Sequence, residues 1–329
     1  NINKDIASSE AIAASEAIVA VKTQDNIKIY VSDDESDTDS DTDSESEIDS
    51  ESDTDCESES EDKKVTCIKL DKGNFPDDVI ITHRIHNFND FGVLAIAVDA
   101  LRRDSYSNIS LYLPYFPGAR QDRLMTAGEP FTSAVYVKLL NALKLDAITS
   151  LDMHSDVVAG MFAVLDTRFY DIPNYNFVDQ CIQDIEGIDS DDTNVTIISP
   201  DAGSNKKIKG LIAHMSNAMY VYPVVKCDKT RDVMTGELTG FEVYADDLSG
   251  RDCVIVDDIC DGGGTFIGLA KELKAKGAKS LILIVTHGIF SNGTAALTNV
   301  FDKVYCTNSF DPLKYSNGVI SNKLYIINP

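Results

Sequence analysis

The runs "RDCVIVDDIC" (residues 251–260) and "SLILIVTHGIF" (residues 280–290) are apolar at almost every position before their polar ends. A strand with one face in water alternates apolar and polar side chains, so an unbroken apolar run requires cover on both faces. Helices on the two sides of a parallel sheet give that cover. The segment between the two runs, "IGLAKELKAKGA", has helical spacing, and the same alternation recurs upstream. "DDVIITHRI" precedes "FGVLAIAVDALRR", "ISLYLPYF" precedes "FTSAVYVKLLNALKL", and "AITSLDMH" ends in a turn. Farther on, "NVTIISPDAGSNKK" leads into "IKGLIAHMSNA", and "AMYVYPVV" into a polar stretch. Strands alternating with helices predict an α/β protein with two doubly wound parallel-sheet domains, over residues 63–170 and 171–329. With 329 residues, 43% of them hydrophobic, the chain can fill a core in each.

Nearer the N-terminus the pattern breaks. Residues 32–62, "SDDESDTDSDTDSESEIDSESDTDCESESED", hold 17 acidic side chains and no Lys or Arg. They repel one another and offer almost nothing apolar to bury, which predicts a disordered acidic insertion. Ahead of it, an N-terminal segment of residues 1–31 carries a weak helical pattern up to residue 25 and then a strand-like "NIKIYV". The tract supplies most of the net charge of −25; the rest of the chain carries −8, ordinary for a globular enzyme. Neither figure suits a nucleic-acid partner. Apolar runs fall well short of the roughly 20 residues that span a bilayer, so no membrane partner is expected. Seven cysteines (Cys56, Cys67, Cys181, Cys227, Cys253, Cys260 and Cys306) are scattered, odd in number and without a C-x-x-C pair. They predict free thiols in a cytoplasmic protein.

Ligands of open α/β sheets sit beyond the strand ends, so the chemistry belongs in the loops. The most informative loop is "VIVDDICDGGGTF" (residues 254–266). Gly262, Gly263 and Gly264 let successive backbone N–H groups turn toward one anion, and the following helix adds its positive end. The loop matches neither G-x-x-x-x-G-K-[ST] nor G-x-G-x-x-G, so it is no nucleotide P-loop and no dinucleotide fingerprint. Asp257 and Asp258 stand beside this cradle, where carboxylates can accept from the vicinal hydroxyls of a sugar. A sugar phosphate satisfies both halves.

A strand, two acids, a short acidic and glycine-rich loop and a threonine resemble the ribose-5-phosphate loop of type I phosphoribosyltransferases and ribose-phosphate diphosphokinases. Other segments, in matching order, select the second family. "LPYFPGARQDR" (residues 113–123) is similar to its ATP segment, "SLDMHSD" (150–156) to its metal-histidine segment and "SPDAG" (199–203) to its diphosphate loop. "DKTR" (228–231) is similar to its mobile catalytic loop, and "VDALRR" and "VTHGIFSNG" also match, so the resemblance runs from about residue 77 to about 309. It implies domains of phosphoribosyltransferase type. It also implies transfer of the β,γ-diphosphoryl group of ATP, the co-substrate, to the anomeric hydroxyl of ribose 5-phosphate, with Mg2+ and in a homo-oligomer. By the same resemblance Arg120, Gln121, Asp122 and His154 hold ATP, and His154 and Asp201 hold the metal. Lys229 and Arg231 are the catalytic cations, and Asp257, Asp258, Asp261, Gly262, Gly263, Gly264 and Thr265 hold the sugar phosphate. His83 and His86 match no ligand position and are read as packing or surface residues, and His287 as a support at a strand end.

Three departures qualify the match. Gly262 stands where the family usually has Thr, removing a hydroxyl from the phosphate grip and making room for a substituted phosphate such as that of ADP-ribose. The early loop that reads adenine across subunits is not recognisable. Ser204 replaces a usual glycine and the chain ends soon after "NSFDPLKY", so ADP and phosphate control is not expected. The expected activity is phosphoribosyl pyrophosphate synthesis, with ADP-ribose as alternative acceptor and a catalytically silent regulatory homologue as second alternative.

Overall fold

The computed structural model describes residues 20–22, 27–32, 67–70, 78–185, 194–217, 222–231, 238–310 and 321–328. Apart from Ser32, the expected acidic insertion lies outside the described residues. The chain divides into two compact units, one of residues 1–83 and 87–109, the other of residues 84–86 and 110–329.

In the first unit β1 (Ala20–Lys22), β2 (Ile27–Ser32), β3 (Cys67–Leu70) and β4 (Asp78–Thr82) follow the order β3-β2-β1-β4, each neighbour antiparallel. A strand thus stands at Ala20–Lys22, inside the stretch with weak helical spacing. Pairing on both sides outweighs so slight a local preference. Helix α1 (Phe88–Arg103) starts at a capping box. Asn87 Oδ1 accepts from the N–H groups of Asn89 and Asp90, and Asp90 Oδ2 accepts from the N–H of Asn87.

The second unit opens with β5 (Asn108–Leu113), which enters it at Ser110. It pairs in parallel with β6 (Ala147–Leu151), and β6 with β7 (Arg168–Ile172); helices α2 (Thr132–Ala142) and α3 (Val157–Phe162) make the connections. After α4 (Tyr175–Asp184) come β8 (Val195–Ser199), α5 (Asn205–Asn217), β9 (Val224–Arg231), β10 (Leu238–Val243) and β11 (Asp252–Cys260). They are followed by α6 (Gly264–Ala275), β12 (Ser280–Gly288), α7 (Ala295–Val300), β13 (Lys303–Thr307) and β14 (Leu324–Ile327). Their strand order is β10-β9-β8-β11-β12-β13-β14, parallel throughout except for β10 against β9.

The continuous apolar runs are explained by two separate cores. Cys253 and Ile255 of β11, with Leu281, Leu283 and Val285 of β12, meet Phe266, Leu269 and Leu273 of α6 on one face. Their neighbours Val254, Val256, Ile282 and Ile284 meet Phe177, Val178, Ile208 and Leu211 of α4 and α5 on the other. Successive side chains alternate between the faces, so each position in the run has a core to enter. The expected α/β class with parallel sheets is therefore observed.

One strand is displaced from its apolar run. "AMYVYPVV" would place it at residues 218–225, whereas β9 begins at Val224 and continues through polar residues to Arg231. Only Val224, Val225 and Lys226 pair with β8; from Cys227 onward β9 pairs with β10, as a two-stranded ribbon beyond the layered sheet. The ribbon buries one face, with Cys227 and Val243 in the α6 core, and turns Lys226, Glu242 and Tyr244 to the surface, so it carries no continuous apolar run.

The order also locates a crevice. From β8 the chain first adds β9 on one side and later β11 on the other, so the direction of winding reverses between β8 and β11. Strand β8 stops at Ser199, while β11 runs on beside β12 to Cys260. The loops after these strands therefore open into one gap.

Candidate active site

A cleft of about 1110 Å3 occupies that gap. Its walls include Asp201, Gly203 and Ser204 after β8, residues 257–266 after β11, Met153 to Asp156 after β6, Lys229 on β9, and Arg120 and Arg123 from the loop after β5. Its volume is at the top of the range for drug-sized ligands, enough for two small substrates side by side.

The phosphate cradle forms as the glycines require. Gly263 sits at φ 77°, a left-handed conformation that costs glycine little, and a Cβ there would lie 3.1 Å from Leu297 Cδ2. Helix α6 starts at the next residue, so its unpaired N–H groups border the cleft. At Gly262 a Cβ would meet the Asn292 amide nitrogen at 2.9 Å, while at Gly264 it would meet nothing within 4 Å.

Beside the cradle the two acids are treated differently. Asp257 Oδ1 accepts from Ser204 Oγ at 3.1 Å and from the Asp258 N–H at 3.0 Å. Burial, then the like charges of Asp258 and Asp201, push the Asp257 carboxyl well above the usual range. Asp258 is held in the opposite sense: burial opposes its charge, but His154 and Lys207 outweigh burial and keep it well below the usual range. His154 Nδ1 lies 2.7 Å from Asp258 Oδ2. Because a carboxylate only accepts, Nδ1 carries the proton, and a neutral ring then keeps its Nε2 lone pair.

Opposite charges pair along the walls. Arg120 reaches Asp261 at 3.0 Å, Arg123 reaches Asp122 at 2.9 Å, Lys229 reaches Asp201 at 2.5 Å, and Lys206 bonds Asp156. Lys207 lies 3.0 Å from Asp152 and 3.2 Å from Asp258. Burial would lower its ammonium, but the two carboxylates win and hold it above the ordinary lysine value. Asp201 also accepts from the Ser204 N–H at 3.0 Å, and Ser204 Oγ lies 3.0 Å away, its one proton shared between Asp201 and Asp257. Burial opposes its charge, yet Lys229 keeps its carboxyl below the usual range. Ser204 thus joins the diphosphate loop to the sugar loop, which a glycine there could not do.

Among the described residues no three or more His, Cys, Asp or Glu form a ready-made metal cage. Magnesium uses one or two carboxylates and substrate phosphates instead, which suits Asp201. A histidine that donates one ring N–H to a carboxylate, as His154 Nδ1 does to Asp258, has the arrangement of a metal ligand. The donor set therefore fits a hard divalent ion completed by phosphate.

The structure brings Arg120, His154, Asp201, Lys229, Asp257, Asp258, Asp261, Gly262, Gly263, Gly264 and Thr265 to the cleft. Gln121 and Asp122 are not among the cleft-lining residues. Gln121 is exposed, and Asp122 is buried, holding Arg123 and accepting from Ser155 Oγ at 2.5 Å. Arg231 ends β9, and its side chain lies outside the described residues. His287 is buried under the site: Nε2 lies 3.0 Å from the Leu151 carbonyl and Nδ1 2.7 Å from Ser309 Oγ. His83 is buried with Nε2 2.9 Å from the Asp90 carbonyl, and His86 packs edge-on to Phe310, so both are packing residues. Cys260 and the other described thiols, Cys181, Cys227, Cys253 and Cys306, are free and buried; Cys56 and the Cys67 side chain lie outside the described residues. Sequence reasoning missed Arg123, Asn174, Asp152, Lys206 and Lys207. Lys207 had a signal, since it lies four residues before the buried Leu211 on the inward side of α5.

Comparison with known proteins matches two separate segments of the chain. Residues 44–143 match the model of the N-terminal domain of ribose phosphate pyrophosphokinase, and residues 172–309 match that of the phosphoribosyl transferase domain. A crystal structure of phosphoribosylpyrophosphate synthetase from Mycobacterium smegmatis superposes with a TM-score of 0.64, covering 80% of this chain and 82% of that one at 24% identity. Fold and cradle together place the molecule among proteins of phosphoribosyltransferase fold. The ribose-phosphate pyrophosphokinase of Agrobacterium fabrum is 33% identical over 222 residues, 67% of each chain. That of Bradyrhizobium diazoefficiens is 36% identical over 208 residues, 63% of this chain and 61% of the relative. The chain belongs to the ribose-phosphate pyrophosphokinase family. It spans about three-fifths to two-thirds of the length of these two relatives.

Proposed function

We propose that the protein transfers the β,γ-diphosphoryl group of ATP to the anomeric hydroxyl of ribose 5-phosphate, giving phosphoribosyl pyrophosphate and AMP. One observation carries the reading: an anion cradle with a diol-binding acid faces cations held by carboxylates across a single cleft. The 5-phosphate takes the N–H groups at residues 262–265, and the ring hydroxyls donate to Asp257. The anomeric oxygen forms a bond to the β-phosphorus of ATP while the bond to the α,β-bridging oxygen breaks. AMP leaves with that oxygen, and the hydroxyl proton passes to solvent. Lys229 and Arg120 exchange their carboxylate partners for phosphoryl oxygens as ATP enters, with Arg231 the further cation on β9. When bound, Mg2+ would neutralise phosphoryl charge, with Asp201 and His154 as its protein holders. In this reading residues 63–170 carry the nucleotide side and 171–329 the sugar side, in a cytoplasmic homo-oligomer.

A second reading takes ADP-ribose as acceptor. It is favoured by the open space at Gly264, where a Cβ would meet nothing within 4 Å, which leaves room for a substituted 5-phosphate. AMP release from MgATP with each acceptor at matched concentration separates the two. A higher kcat/KM with ribose 5-phosphate upholds the first, a higher value with ADP-ribose the second, and no AMP with either defeats both.

A further inference from the structure

Asp152, just beyond β6, is held from several sides. Its backbone lies in the left-handed region at φ 45°, where a residue with a side chain persists only if its surroundings fix it. Its buried carboxylate accepts from Asn174 Nδ2 at 3.0 Å, from Thr286 Oγ1, and from the Lys207 ammonium at 3.0 Å. Lys207 in turn reaches Asp258 Oδ2 at 3.2 Å, the same oxygen that receives His154 Nδ1. The other oxygen, Oδ1, accepts the Ile259 N–H at 2.9 Å. Three of the roughly four acceptor positions of Asp258 are thus filled by the protein. Asp257 is bonded at Oδ1, by Ser204 Oγ and the Asp258 N–H, and is the less buried of the pair.

We infer that Lys207 is a positioning residue: it links Asp258 to the fixed Asp152 and through Asp258 seats the His154 imidazole on the nucleotide side of the cleft. Asp257 is then the acid that grips the sugar. The inference rests on the cleft being a diphosphokinase site. Without the ammonium, two buried carboxylates face each other with no cation between them, and the seat of His154 is lost.

The test uses the full chain as Lys207→Met, Lys207→Arg and the double variant Lys207→Met/Asp152→Asn, which removes the facing charge. Thermal midpoints, AMP release and calorimetric MgATP affinity are measured for each. Lys207→Met is expected to lose roughly 30-fold in kcat and about tenfold in MgATP affinity, with KM for ribose 5-phosphate changed less than about threefold. Lys207→Arg should recover to within about fivefold of wild type, and the double variant should recover the midpoint but not kcat. Recovery of kcat together with the midpoint, or a KM for ribose 5-phosphate that rises in step with the loss of kcat, would overturn the inference. If the wild type releases no AMP with either acceptor, the activity reading fails by itself and MgATP affinity decides for Lys207. A tenfold loss in Lys207→Met upholds the positioning role; unchanged affinity, or no MgATP binding by the wild type, overturns it.

Discussion

Asp257 and Asp258 are chemically identical neighbours that the fold drives apart. The raised carboxyl of Asp257 binds its proton more tightly folded than unfolded, so its contribution to stability falls as pH rises from the ordinary carboxylate value through the raised one. At neutral pH the empty site bears that strain. Asp257→Asn is therefore expected to raise the thermal midpoint at pH 7 by roughly 2–5 °C, with the gain shrinking toward pH 4, while turnover falls about 100-fold. Melting curves at the two pH values, beside an AMP assay, check both halves; a midpoint unchanged at pH 7 contradicts the account. Lys229 is the complementary case. Its 2.5 Å pair with Asp201 holds the proposed catalytic cation ready for exchange. Lys229→Ala should lower kcat about 100- to 1,000-fold with an unchanged circular dichroism spectrum, and undiminished AMP release would remove Lys229 from the mechanism.

Among the elements, the turn into α6 tolerates little change. Gly263→Ala meets both the left-handed backbone and Leu297, and is expected to cost about 1 kcal/mol or more in urea denaturation and to weaken ribose 5-phosphate binding. An alanine variant of wild-type stability would show that the turn rearranges freely. This turn was legible beforehand because its glycines follow a buried strand, as were the strands of the two-faced cores, whose apolar runs leave no other placement. Strand β9 was not, since its polar half is held by pairing with β10 and leaves no hydrophobic period. Lys207 was legible only as a helical position: its spacing from Leu211 hints at the inward side of α5, but its role emerges when Asp152 and Asp258 approach from distant parts of the chain. Arg123 escaped for a related reason, because neighbouring Gln121 and Asp122 carried the resemblance while the backbone turned the arginine into the cleft.

At the scale of the molecule, one buried network sets the pH range. The depressed carboxyl of Asp258 gives stability that is present above the ordinary carboxylate pKa and lost as pH falls toward its folded value. Lys207, raised in the fold, gives stability that is present below the ordinary lysine pKa and lost as pH rises through its folded value. These two groups should accordingly pull the thermal midpoint down below about pH 4 and above about pH 10, and Lys207→Met should move the acid drop to higher pH. An acid limb unmoved in that variant would dissociate Lys207 from Asp258. A last consequence follows from the unequal lengths of β8 and β11. The wall that β11 raises beyond Ser199 is backbone already bonded to β12, so it can neither widen nor reshape for a different guest. In the proposed activity, a different acceptor would be met by side chains such as Asp257 and by the turn at residues 262–265, not by movement of the strand backbone.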